Sequence, residues 1–151
     1  MARLMYTRIL VPLENSRTDE AIVAHVRALA LHCGASIVLI HVADGFAARN
    51  ISSLELRESD EIRKDRAYLD EVTARLVAAG FSAEAVLASG DPAKEITAAA
   101  LRERCDLIAM GTHGHRGVKD LIYGSVANEV RHQSLVPVLL VRERPGRPTP
   151  A

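Results

Sequence analysis

This chain lacks an excess of either charge. Its 151 residues carry 19 Lys and Arg against 19 Asp and Glu, a balance that supplies no long-range attraction for a polyanion and argues against nucleic acid as the main partner. Cysteine is scarce. Cys33 and Cys105 stand far apart without CxxC or metal-type spacing, so they read as small core residues of a chain kept in a reducing cytoplasm. Long apolar runs are absent too. The opening "MARLMYTRILVPLE" has a proline and an acid where a signal peptide needs an unbroken apolar stretch, and nothing approaches the roughly 18 apolar residues of a membrane span. Also missing are the GxGxxG and GxxxxGK[ST] loops. The segment after the first apolar run, "ENSRTDE", holds no glycine, which rules out a phosphate turn of either kind there.

What is present is ordinary for one soluble domain: 48% hydrophobic and 25% charged residues, in a length that buries about two thirds of its unfolded surface. Short apolar runs alternate with helical spacing. "RILVPL" at 8–13, "ASIVLIHVA" running through Val42, the weaker "SAEAVLAS", "CDLIAMG" and "LVPVLLV" read as five buried strands. Between them, a helix from Thr18 stops at Gly34, and a charged amphipathic helix follows a loop at 44–53 and ends at Gly80. A third helix has Asp91 as its N-cap and proline just inside, and a last one runs to about Gln133. This alternation specifies a single-domain α/β fold, a doubly wound five-stranded parallel sheet with helices on both faces. The domain takes in residues 1–142. The tail 143–151, rich in proline and charge, is expected to be disordered.

In such a sheet ligands bind beyond the carboxyl ends of the strands. The loop after the fourth strand, "MGTHGHRGVKDLIYGSVANEV", concentrates Gly111, Gly114, Gly117 and Gly124 out of nine glycines, followed by Ser125. Glycine lets a phosphate approach the backbone, and a helix beginning near Ser125 would add unpaired amides and a positive dipole end. The same residues also fit a strand end, a break between helical pieces and a cap.

The stretch resembles the ATP-binding branch of the universal stress protein (UspA-like) family. Gly111, Gly114, Gly124 and Ser125 fall in register with its G-x-x-G, nine residues, G-[ST] pattern. "ILVPLENSRTDEA", "LIHV", "SGDPAKEI", "CDLIAMGTHG" and "VPVLLV" extend the likeness from Tyr6 to Arg142. The resemblance implies a Rossmann-like sheet ordered 3-2-1-4-5. It implies that Pro12, Leu13 and Glu14 meet adenine and ribose and that Val42 joins the adenine pocket. Met110 would border the base or ribose, Gly111 and Gly114 would cradle the phosphates, and Gly124, Ser125 and Val126 would complete that cradle. His115 and Arg116 lie in the variable part, within reach of phosphates. The family commonly has Asp where this chain has Glu14 and Gly where it has Asn15. The glutamate sits one methylene further out and must fold back, while Asn15 can supply the left-handed turn.

His113 and His115 form an HxH pair, yet a zinc site needs three or four convergent ligands and no second close pair exists in the sequence. His41, inside the second strand, reads as a satisfied core or dimer-facing histidine. Pro137 suits an edge strand, and an apolar edge calls for cover by a second copy, through 136–141. The leading expectation is a cytoplasmic homodimer that binds ATP, with Mg²⁺ as an optional companion, and signals by occupancy in a stress response. No catalytic set is assigned, because there is no Walker lysine and no acid pair near the glycine loop. A slow ATPase or phosphotransferase and a dimeric adaptor without nucleotide binding are the alternatives.

Overall fold

The computed structural model describes residues 5–44, 51–112 and 118–142, without the side chains of 44, 51–59 and 118–124. In chain order the elements are β1 (Arg8–Pro12), α1 (Thr18–Cys33), β2 (Ser36–Asp44), α2 (Ile51–Ala78), β3 (Ala83–Gly90), α3 (Pro92–Arg102), β4 (Leu107–Thr112), α4 (Val118–Gln133) and β5 (Val138–Arg142). All strands pair in parallel, in the order β3-β2-β1-β4-β5. This is the expected doubly wound, five-stranded sheet, reversing between β1 and β4.

Strand alternation divides the apolar side chains between two cores. Ile9, Val11, Leu13, Ile37 and Leu39 face one side, where they pack with Ile22 and Val26 of α1 and Leu69, Val72 and Leu76 of α2. Leu10, Val38, Ile40 and Ile108 face the other, against Ala93, Ile96 and Ala99 of α3 and Ala127 and Val130 of α4. Ile9, Leu10, Ile22, Ile37, Leu39 and Ile40 are fully buried, each contributing about 1.5–3 kcal/mol of transfer free energy.

The amino ends of the strands are tied by polar bonds. Asp106 accepts from the amides of Thr7 and Arg8 and from the Thr7 hydroxyl at 2.9–3.1 Å. Burial works against its charge, but these backbone and hydroxyl bonds outweigh it and hold the carboxyl below its ordinary pKa. Arg8 donates from Nε to the Glu103 carbonyl at 2.7 Å and pairs with Glu84 and Glu103.

Three boundaries differ from the sequence reading. α2 begins at Ile51, inside the expected loop at 44–53, because Ser52 and Ser53 cost a helix only tenths of a kcal/mol each. α4 begins at Val118, so Ser125 lies about two turns inside it. The apolar positions 118, 121, 122, 126 and 130 share one helical spacing across Gly124, and a single interior glycine costs only about 1 kcal/mol. β5 begins at Val138 and forms the sheet edge beside β4. Pro137 stands just before it, lending its carbonyl to the Ile108 amide, since proline has no amide for the ladder. Residues 113–117 and 143–151, which include the expected tail, lie outside the description. No helix among the described residues is long and apolar enough to cross a membrane.

Candidate functional site

A cleft of about 570 Å³ opens at the carboxyl ends of β1, β2 and β4, the size of an ordinary small-ligand site. Its lining unites residues singled out in the sequence. Pro12, Leu13 and Glu14 come from the end of β1, Val42 from β2, Met110 and Gly111 from β4, and Ser125 and Val126 from α4. Gly124 belongs to α4, and its surroundings lie outside the description. Gly114, His115 and Arg116, with His113, fall outside the described residues.

The β1–α1 loop is shaped by a residue that the sequence reading passed over. Asp19 is 3% exposed. Its carboxylate accepts from the amides of Glu14 at 3.0 Å, Asn15 at 2.8 Å and Ser16 at 3.2 Å, and from the Tyr68 hydroxyl at 2.5 Å. Burial, then the bond to Asp19, raises the Tyr68 pKa and keeps the phenol a donor. The Ser16-x-x-Asp19 spacing is the [ST]-x-x-[DE] helix-start signal, whose acidic member reaches back to a preceding amide. Asn15 takes φ of 63°, the left-handed turn expected of it. Glu14 is folded back, its carboxylate accepting from Ser16 Oγ at 3.2 Å.

On the opposite wall, Gly90 with φ of 132° turns the chain out of β3, and Asp91 caps α3 by accepting from the Lys94 amide at 3.1 Å. Two helix amino ends therefore open on the cleft, that of α1 through Thr18 and Asp19 and that of α3 through Asp91, Pro92 and Ala93. Ser125, expected at a helix start, reaches the cleft from the side of α4 instead. Glu129 does so one turn later.

Ile40, Ile96, Met110 and Val126 give the lining an apolar part, and Glu14, Asp19, Asp91 and Glu129 are its acidic members. No three of the described acids, histidines and cysteines converge to hold a metal ion. Gly111 has ordinary backbone angles, and a Cβ there would lie 3.5 Å from Ile22 Cβ and 3.6 Å from Thr18 Cγ2. The fold itself therefore tolerates a side chain at that glycine.

His41 lines the cleft as well. Its Nδ1 lies 2.8 Å from the Leu13 carbonyl and its Nε2 lies 3.2 Å from Asp65 of α2. It is a satisfied, partly buried histidine, as its place in a strand suggested. Among the further lining residues, Asp91 carried a readable signal in its cap position and Glu129 in its four-residue spacing from Ser125. Thr18, Ile40 and Ile96 lack any feature that separates them from core.

Comparison with known proteins places the chain in a family and its fold among solved structures. The universal stress protein family model matches residues 5–142. Universal stress protein MJ0577 of Methanocaldococcus jannaschii is 29% identical over 158 aligned positions, covering 93% of this chain and 98% of the relative. Its solved structure superposes with a TM-score of 0.82 at 28% identity, over 94% of this chain and 99% of that one. Two more distant structures share the fold. A universal stress protein in complex with cAMP has a TM-score of 0.66 at 21% identity, covering 90% and 96% of the two chains. One from Archaeoglobus fulgidus in complex with dAMP has 0.64 at 19%, covering 91% and 98%. By the family match over nearly its whole length and by its sheet order, this chain belongs to the universal stress protein family.

Proposed function

We propose that the protein binds an adenine nucleotide, ATP, in the cleft at the carboxyl ends of β1, β2 and β4, and that occupancy of this cleft is its signal in a stress response. One observation carries the reading. Eight residues from four separate stretches of sequence, Pro12, Leu13, Glu14, Val42, Met110, Gly111, Ser125 and Val126, line a single cavity. The cAMP and dAMP complexes of the two distant relatives lend the same ligand class.

The walls divide the ligand by chemistry. The apolar part of the lining, Ile40, Ile96, Met110 and Val126, suits the faces of a base, and the Glu14 carboxylate is an acceptor for ribose hydroxyls. The phosphates would lie toward Gly111 and Ser125, with Gly114 and Gly124 completing the cradle. His115 and Arg116 belong to the same stretch, where positive charge would offset a triphosphate. Mg²⁺ is the expected companion of ATP, because the described lining holds four carboxylates and no lysine or arginine. The sequence carries no Walker lysine, and the proposed action is binding rather than rapid turnover.

A homodimer through 136–141 completes the proposal. β5 is a sheet edge on which Leu140 is 41% exposed, and Leu135 beside it is 85% exposed. A second copy covers that edge. The deciding experiment is to denature the purified protein, identify released nucleotide, and titrate the ligand-free form with ATP, AMP and cAMP. Binding of ATP at micromolar concentration supports the reading. Failure of all three at millimolar concentration ends it.

A further inference from the structure

α1 and α2 cover the same face of the sheet, but among the described residues they do not pack side by side as α3 and α4 do on the other. Between them runs a groove of about 580 Å³. α1 lines it with Glu20, Val23 and Arg27, a stripe next to the one of Ile22 and Val26 that meets the sheet, and α2 lines it with Tyr68, Val72 and Arg75. Each helix returns from a strand of one parallel sheet, so the two run in the same direction. The Tyr68 hydroxyl donates to Asp19 and sets their register. Arg27 stands eight residues beyond Asp19 and Arg75 seven beyond Tyr68, each about 10–12 Å along its axis. The two arginines therefore stand at about the same level on opposite walls.

The groove is graded along its length. At one end lie Asp19 and the exposed Glu20, Val23 and Val72 make the middle apolar, and the far end carries two guanidinium groups. Arg27 lies over the Phe81 ring, 5.6 Å from its centroid, and Arg75 has Glu71 at 4.0 Å, an exposed contact worth little. An anion between them gains two charge-assisted partners. We propose that this groove is a second ligand site, for a medium-chain fatty carboxylate whose head pairs with Arg27 and Arg75 and whose chain lies over Val23 and Val72 toward Tyr68. At about 1.25 Å per carbon, a chain of roughly eight carbons fills that span. The acids at the Tyr68 end repel a carboxylate, so the ligand has one orientation. The site bears on the cleft because Asp19 lines both cavities. Its carboxylate takes the amides of Glu14, Asn15 and Ser16 on the cleft side and the Tyr68 hydroxyl on the groove side. An alkyl chain against Tyr68 excludes water from that last bond and strengthens it, which steadies the loop around Glu14. The coupling, unlike the site, rests on the nucleotide reading above, and it makes ATP and the carboxylate each bind tighter in the presence of the other.

The site is tested without nucleotide, by calorimetric titration of the full chain with octanoate, hexanoate and 1-octanol. Octanoate should saturate one site per chain below millimolar concentration. Hexanoate, two methylenes shorter, should bind about fifteenfold weaker, and the uncharged alcohol about tenfold weaker or more. Arg27 and Arg75 are exposed, so Arg27→Gln and Arg75→Gln keep the fold. Each should weaken octanoate about tenfold and leave octanol unchanged, a split that a merely apolar surface would not show. The coupling is read as the affinity for ATP with and without saturating octanoate. ATP should bind about fivefold tighter in its presence, and Tyr68→Phe should take octanoate as before and lose that gain.

No saturable octanoate binding at millimolar concentration, equal affinity for octanol, or unchanged binding in either arginine variant overturns the site. Cosedimentation with phosphatidylglycerol vesicles that both substitutions abolish, without binding of free octanoate, gives the face to a membrane surface and overturns it too. An ATP affinity indifferent to octanoate, in a protein that binds both, overturns the coupling and leaves the site. A protein that binds octanoate and no nucleotide overturns the cleft reading alone.

Discussion

Replacing Asp19 by alanine should be among the most damaging single changes available near the cleft. Its carboxylate, 3% exposed, receives three main-chain amides and the Tyr68 hydroxyl. A hydrogen bond to a charged group is worth about 1.5–3 kcal/mol, and such values do not add within one network. The amides of Asn15 and Ser16 belong to exposed residues that can turn to water, whereas Tyr68 and the inner face of the loop are partly enclosed. The expected loss for Asp19→Ala is therefore about 3–4 kcal/mol, well under the four-bond sum, out of a total of about 5–15 kcal/mol. Tyr68→Phe removes one donor and leaves the charge with three, costing about 1–1.5 kcal/mol. Urea unfolding of the two single variants and the double variant measures the coupling. With a slope of about 2 kcal/mol/M, Asp19→Ala lowers the midpoint by roughly 1.5–2 M. ATP affinity should fall in parallel, because the same amides set the path of the chain through Glu14. A midpoint within about 0.3 M of wild type, on that same slope, would refute the claim that this carboxylate organises the loop.

Four further outcomes are expected. Gly111→Ala should stay within about 1 kcal/mol of wild type, since its new Cβ meets only ordinary contacts with Ile22 and Thr18, and a thermal melt checks this. Asp106→Asn should destabilise at neutral pH. A carboxyl whose folded pKa is lowered stabilises above its unfolded value, near 4, and that contribution is lost as pH falls through the folded value, so the gap between variant and wild type should close in acid denaturation curves below about pH 4. The Cys105 thiol, pushed up to about 11 by burial and only partly relieved by Arg8, should resist alkylation at pH 8 in the folded protein and react on unfolding, as mass spectrometry would read. Leu140→Lys places a charge on the exposed edge strand, and sedimentation should then report monomers. A persisting dimer would move the interface elsewhere.

The architecture was legible because each apolar run is short enough to be one buried strand and each intervening segment long enough for a crossover. Val38 and Leu39 differ in facing partner, yet both are apolar, as a sheet covered on both sides requires. Helix starts were harder to read. Gly124 looks like a break until the spacing behind it is followed to Val118, and Ser52 looks like loop although it sits in α2. At the cleft, glycines, the proline of β1 and Ser125 announced themselves by unusual type at regular places. Asp19 and His41 did not, because their importance lies in what they bond to. A capping pattern such as Ser16 to Asp19 forecasts one amide bond, whereas the observed carboxylate serves three and a tyrosine from another helix. Where Asp65 falls relative to His41 depends on how α2 crosses the sheet, and local sequence does not encode that.

The polar bonds around Asp106 and Arg8 have a counterpart at the other end of the same strand. β1 is anchored at Thr7 and Arg8, and just beyond its last residue the Leu13 amide bonds to Ile40 while Asp19 holds the amides of Glu14, Asn15 and Ser16. It is a beam clamped at both ends, with its far clamp bordering the cleft. A ligand there meets a wall set in advance, and little of its binding energy is spent on ordering Pro12 to Glu14.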